Sequence, residues 1–180
     1  MEASACCVGS HDSAIGQTLD ELDFDRGLWR PAIDGDIERI QSLLQKGSHA
    51  GSLDSSGFSP LHYAARNGHL ECCRLLLDSA ACVNQQTKGL VTPLHRACYC
   101  GHLEVAKLLL ARKANPMLQD ADGNTSLHKA VEGGHESVVS FLLAHPVASN
   151  LLPIKNFRGQ TAADMTENDS LKCLFKDIRA

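Results

Sequence analysis

Apolar residues along this chain fall into short clusters that return every 33 positions. Leu75-Leu76-Leu77, Leu108-Leu109-Leu110 and Phe141-Leu142-Leu143 form one set. A second set keeps the same phase: Leu61 with Ala64, Leu94 with Ala97, Leu127 with Ala130. Between the sets stand Gly68-His69, Gly101-His102 and Gly134-His135. Short apolar clusters parted by a glycine predict two helices and a tight turn in every unit. Phase-locked blocks at one fixed period mark a stack of repeats, each unit too small to bury its apolar face alone.

The polar residues around these clusters supply helix ends. Ser59, Thr92 and Thr125 stand at N-cap positions, where a side-chain oxygen accepts an orphan backbone N–H. Pro60 and Pro93 follow at the first helical position, where a missing N–H costs nothing. The first helix is expected to run to about Asn67, Cys100 or Gly133. The second helix calls for a left-handed residue at its end. Gly47 supplies one, but Ala80, Lys113 and Pro146 hold that place in later units. The links Asp54-Ser55-Ser56-Gly57 and Asp120-Ala121-Asp122-Gly123 predict turns with positive φ at glycine. In the middle link Gly89 arrives one residue early and Leu90 takes the glycine's place. Either that turn is redrawn around Gly89, or Leu90 is strained.

The phase extends one unit toward the N-terminus. Leu28-Trp29 falls where Leu61-His62 stands, and Gly35-Asp36 where Gly68-His69 stands. Trp29 therefore replaces the histidine and is expected to bury most of its indole against the second unit. Beyond His145 the period slips by about three residues near Pro146 to Pro153, and Gly159-Gln160-Thr161 resumes it. The reading divides the chain into a disordered tail over 1–18 and one repeat domain over 19–180. Units cover about 24–53, 57–86, 90–119 and 123–152, with a C-terminal cap over 157–180. Thr18 is expected to cap a short acidic turn carrying Asp20, Glu21 and Asp23.

The order turn, Thr-Pro-Leu-His, Gly-His, Leu-Leu-Leu resembles the ankyrin repeat, over roughly residues 24–180. The resemblance implies an all-α solenoid of antiparallel helix pairs with projecting β-turn fingers. It implies a protein partner held on the concave face formed by fingers and first helices. It also implies that Asn84, after Val83, is a candidate for asparaginyl hydroxylation, although Cys82 stands where an acidic residue suits that role better. The alternative is that Asn84 bonds the turn backbone.

Composition narrows the function further. A net charge of −4 gives no general affinity for nucleic acid. No apolar run of membrane-spanning length and no secretory start is visible, so a cytoplasmic or nuclear monomer is expected. The eight Cys then read as reduced thiols. Of the nine His, six belong to the repeat, and Cys98, Cys100 and His102 lack the paired Cys spacing of a zinc site. No metal, cofactor or catalytic residue is expected. Neither a nucleophile elbow nor a phosphate-binding loop is present.

Binding residues are sought where the repeat leaves the sequence free. Leu90 and Val91 on the middle finger, with Phe58 from its neighbour and Tyr99 from the adjoining helix, are expected to form an apolar centre. Arg66, Lys88, Asp122 and Glu132 would rim it. The competing expectation is that Leu90 folds back and Phe58 packs between repeats. Arg30, Arg96 and Lys129, with Tyr63, form a basic row on the first helices, broken by Asp34 and Glu132. That row reads as a solvated face, as a seat for an acidic protein, or, least of all, as a nucleic-acid surface. A separate alternative gives the active role to the acidic N-terminus and leaves the stack as a handle.

Overall fold

The computed structural model describes residues 24–177. The tail over 1–18, the acidic turn after Thr18 and the end of the cap at Ile178 lie outside the described residues. Helix pairs follow one another: α1 (Trp29–Asp34) with α2 (Ile37–Gln45), α3 (Pro60–Asn67) with α4 (Leu70–Asp78). Next come α5 (Pro93–Tyr99) with α6 (Leu103–Ala111), and α7 (Ser126–Glu132) with α8 (Glu136–Ala144). A short α9 (Ala148–Leu151) occupies the stretch where the period slips. A 3₁₀ turn (Ala162–Met165) and α10 (Asp169–Asp177) close the stack. The first helices pack in one row and the second helices in another. The chain is thus an all-α repeat solenoid.

The core lies between the rows and repeats like the sequence. Leu61, Ala64 and Ala65 are buried, as are Leu94, Ala97 and Cys98, then Leu127, Ala130 and Val131. Small residues here let neighbouring first helices approach. Of each apolar triplet the middle Leu is buried in the second row: Leu76, Leu109 and Leu142. Cys72 and Cys73 stand where Val105 and Ala106 stand one unit later, and Cys98 stands where Ala65 stands one unit earlier. Burial pushes all three thiols up, so they act as small apolar fillers.

Histidines tie the units together in both directions. Nε2 of His62 donates forward to the carbonyl of Val91 at 3.0 Å, and that of His95 to Asn124 at 3.1 Å. His128 repeats the bond to Gln160 at 3.2 Å. Because a carbonyl only accepts, Nε2 carries the proton and Nδ1 must accept. Nδ1 of His62 receives the N–H of Ser59 at 3.1 Å and lies 2.8 Å from its hydroxyl. His95 with Thr92 and His128 with Thr125 do the same. Burial pushes the His62 imidazole down to about 4. His69, His102 and His135 instead reach backward, donating from Nε2 to the carbonyls of Ile33, Arg66 and Tyr99.

Three local expectations are resolved by geometry. Ala80 and Lys113 take left-handed φ of 65° and 66° despite their side chains, the conformation that Gly47 reaches at 92°. After α8, His145 turns to extended backbone ahead of Pro146, so that helix ends without the left-handed cap. Leu90 sits at φ 58°, where Gly57 and Gly123 have 85° and 79°: the middle turn keeps its shape and Leu90 is strained. Trp29 corrects its expectation. It is only half-buried, because Leu28 takes the core position and the indole lies outside it, stacked on Phe24 with centroids 5.8 Å apart.

Candidate functional site

The links between units form a row of fingers joined edge to edge. Lys88 N–H donates to the Ser56 carbonyl, Ala121 to Gly89, and Phe157 to Asp122, at 3.0–3.2 Å. Each finger is braced from inside by a side chain at its base. Asp54 Oδ1 accepts from Ser56 and Phe58, Asp120 Oδ1 from Asp122 and Asn124, and Asn156 Oδ1 from Arg158 and Gln160. The middle finger has Thr87 at that position, and its Oγ1 accepts from Val91 N–H at 3.1 Å.

Clefts lie where this row meets the first helices. A cleft of about 220 Å³ is lined by Val91, His95, Arg96, Tyr99, Lys129 and Glu132. A smaller one of about 80 Å³ shares Lys129 and Glu132 and reaches Asp122 and Arg158. The structure thus brings Val91, Tyr99, Glu132 and Asp122 to adjoining clefts. Leu90 and Tyr99 are 46% and 45% exposed. Arg66 and Lys88 are exposed.

Phe58 departs from the apolar centre. It is half-buried between repeats, 5.5 Å from the His62 ring and 5.6 Å from Tyr63, with the Arg96 guanidinium 5.0 Å above its face. The negative face of the ring holds the cation there, so Phe58 forms the floor under Arg96 and does not project beside Leu90. Arg96 and Lys129, read from the sequence as part of the basic row, line the cleft of about 220 Å³. One feature went unrecognised in the pattern: Phe157 is 77% exposed on the last finger. Phe157 follows the turn residue Asn156 as Lys88 follows Thr87, a correspondence the period makes readable.

The basic row differs from unit to unit in its partners. Arg30 pairs with Asp34 at 3.2 Å, and Tyr63 donates to Asp54 at 2.7 Å. Lys129 lies 3.2 Å from Asp120 and 2.9 Å from Glu132. Burial opposes charge on both Asp120 and Lys129. The Asn124 N–H and the Lys129 ammonium nevertheless hold the Asp120 carboxyl low, and Glu132 with Asp120 holds the ammonium high. Among the described residues none accepts a hydrogen bond from the buried Arg96 Nε. Burial and the neighbouring Arg66 charge both press its guanidinium below its ordinary value.

The remaining candidates are structural in their contacts. Cys98 is buried, Cys100 half-buried, and His102 is turned toward the Arg66 carbonyl. Among the described residues no group of three or more His, Cys, Asp or Glu is placed to hold a metal ion. Asn84 uses both ends of its amide across repeats, donating to the Lys113 carbonyl at 3.3 Å and accepting from Asn115 N–H at 2.8 Å. No helix among the described residues is long and apolar enough to cross a membrane.

Stacked helix pairs, finger turns and the two histidine bonds are the geometry of one family. Its profile for "Ankyrin repeats (3 copies)" matches residues 28–120, and that for a single "Ankyrin repeat" matches 122–153. The chain belongs to the ankyrin-repeat family. Among curated relatives it is similar to human ankyrin repeat domain-containing protein 39, 48% identical over 85 residues, covering 46% of this chain and 45% of that protein. The bovine protein of the same name is 51% identical over 67 residues, 36% of each chain. A mouse 2-5A-dependent ribonuclease is 32% identical over 76 residues, which cover 42% of this chain and 10% of that enzyme. The ankyrin match therefore spans less than half the length of each relative. Ankyrin repeats are a general protein–protein interaction module, typically non-catalytic, so a protein partner is implied.

Proposed function

We propose that this ankyrin stack is a non-catalytic adaptor that holds a protein partner on its concave face, around Leu90, Val91 and Tyr99. The observation that supports this most is Leu90. It occupies a left-handed conformation that glycine fills in the neighbouring fingers, and it leaves nearly half its apolar surface in water. A side chain in a costly conformation that its own fold does not bury is the kind of strain found at functional sites. Leu90's neighbour Val91 lines one cleft with the exposed Tyr99, and the charged Arg96, Lys129 and Glu132 complete that lining. Apolar anchors inside a polar rim are how binding hot spots are built.

The test is partner capture by the intact chain, with Leu90→Asp and Tyr99→Ala combined. Proteins retained by wild type are expected to be lost from the double variant, while circular dichroism and melting stay close to wild type. Retention by a folded double variant would move the interface to the convex side or outside the stack.

A further inference from the structure

We infer that the partner segment held on this face is acidic, and that one of its carboxylates seats on Arg96 beside Arg66. The inference rests on the concave-face reading and names what that face selects. It comes from comparing equivalent positions along the row. In the second unit Tyr63 is met by Asp54, nine residues earlier on its own finger. In the fourth, Lys129 is met by Asp120 at the same offset and by Glu132 one turn on. In the third unit both carboxylates are replaced: Thr87 stands for the finger Asp, and Tyr99 for Glu132.

Among the described residues Arg96 thus lacks the carboxylate partners of its equivalents, while its fixed surroundings remain. Phe58 holds the guanidinium from below at 5.0 Å, Nε is buried without an acceptor among those residues, and Arg66 adds a like charge. Nε itself is closed off, so a carboxylate entering the cleft that Arg96 lines would meet the terminal N–H groups of the guanidinium. The planar guanidinium fork matches a carboxylate. Arg96 shares its cleft with Val91 and exposed Tyr99, so an acidic residue flanked by an apolar one fits both features. A nucleic-acid backbone fits less well. Its continuous phosphates would meet Asp122 and Glu132 on one side and Asp34 on the other, on a chain of net charge −4.

The finger offers a test that changes charge with little change of shape. Thr87→Asp supplies the internal carboxylate that the second and fourth units possess, and Thr87→Asn supplies the uncharged brace that the last finger uses at Asn156. A phage library of random twelve-residue peptides is panned on the full chain, and enriched peptides are synthesised and titrated by fluorescence anisotropy. Nitrogen-15 spectra follow the Arg96 guanidinium signals in parallel. Expected are Asp or Glu in the enriched peptides, and a change in the Arg96 guanidinium signals on binding. At least a tenfold loss of affinity is expected with Arg96→Gln and with Thr87→Asp, and retention with Thr87→Asn. Peptides without acidic residues, or unaffected by Thr87→Asp, but lost with Leu90→Asp and Tyr99→Ala, overturn the carboxylate seat and leave the concave-face reading standing. Peptides indifferent to all these variants, or no enriched peptides at all, overturn both. Stronger retention of single-stranded oligonucleotides than of acidic peptides, dependent on Arg96, overturns the choice of partner.

Discussion

The ring of His102 lies against the α-carbon of Gly68, one repeat earlier. A Cβ built on Gly68 would stand 2.5 Å from Nδ1 of that ring. From there Nε2 reaches the Arg66 carbonyl at 2.9 Å, near the end of α3. The glycine is therefore required twice, by its φ of +79° and by its neighbour's ring. Gly35 with His69 and Gly101 with His135 repeat the contact.

Gly134 separates the two requirements. Its φ is +74°, yet nothing lies within 4 Å of its would-be Cβ, because the cap has no histidine to lay over it. Gly134→Ala should cost about 1 kcal/mol, the price of a left-handed alanine. Gly68→Ala should cost about 3 kcal/mol, since the ring must also shift and its bond to Arg66 be lost. Urea unfolding of the two variants measures the difference. Equal losses would mean that the histidine yields freely.

The forward-reaching histidines predict how stability depends on pH. His62 is neutral when folded down to about pH 4, against 6.5 for the free group, and burial lowers His95 and His128 as well. Between those values the unfolded chain binds protons that the folded chain refuses. Stability from His62 is complete above about pH 6.5 and falls as pH drops toward 4, by about 3 kcal/mol in all. Asp120, held low, loses its contribution only in more acid solution. The urea midpoint should therefore begin to fall below pH 6.5, with protons taken up on unfolding at pH 5. A midpoint constant from pH 7.5 to 5 would mean that the folded chain accepts these protons as readily as the unfolded one.

The helix pairs, their order and the family were legible because the period exposes them residue by residue. Leu61, Leu94 and Leu127 mark one buried row without any coordinates. The histidines were half legible. Their bond to the cap is local and follows from spacing, but their reach into the next unit is set by how units stack. Phe58 shows the limit. An aromatic on a finger can project or fold inward, and the choice is made by Arg96, 38 residues away in sequence and 5.0 Å away in space. The unequal pairing of the basic row was hidden for a similar reason: Asp54 and Tyr63 lie on different elements, so no helical spacing advertises the bond.

Leu90 sets stability against recognition. Leu90→Gly removes a side chain from a φ of 58° and should raise stability by about 1 kcal/mol. Ala80→Gly, at φ 65° on the second-helix row, should stabilise by a similar amount. Partner capture should weaken in the first variant and persist in the second. Equal capture by both would remove Leu90 from the interface.

Trp29 predicts how far a local loss spreads. Its Nε1–H donates to the Phe58 carbonyl at 3.1 Å, the forward bond that His62 makes to Val91. An imidazole here would also want donors for Nδ1, and Arg26 stands where Ser59 stands one unit later, without a hydroxyl. The indole needs one acceptor and no donor, so it suits the end of the row. Trp29→Phe keeps a ring against Phe24 and deletes the bond, at about 1 kcal/mol. Trp29→Ala loses the stacking too and should cost about 2–3 kcal/mol, below the range for a fully buried aromatic because this one is half-buried. In a stack whose stability is a sum of units and interfaces, the loss should stay near its source. Hydrogen exchange should show faster exchange in α1 and α2, with α5 to α8 protected as in wild type. Uniform loss of protection along the chain would show that the repeats unfold as one unit.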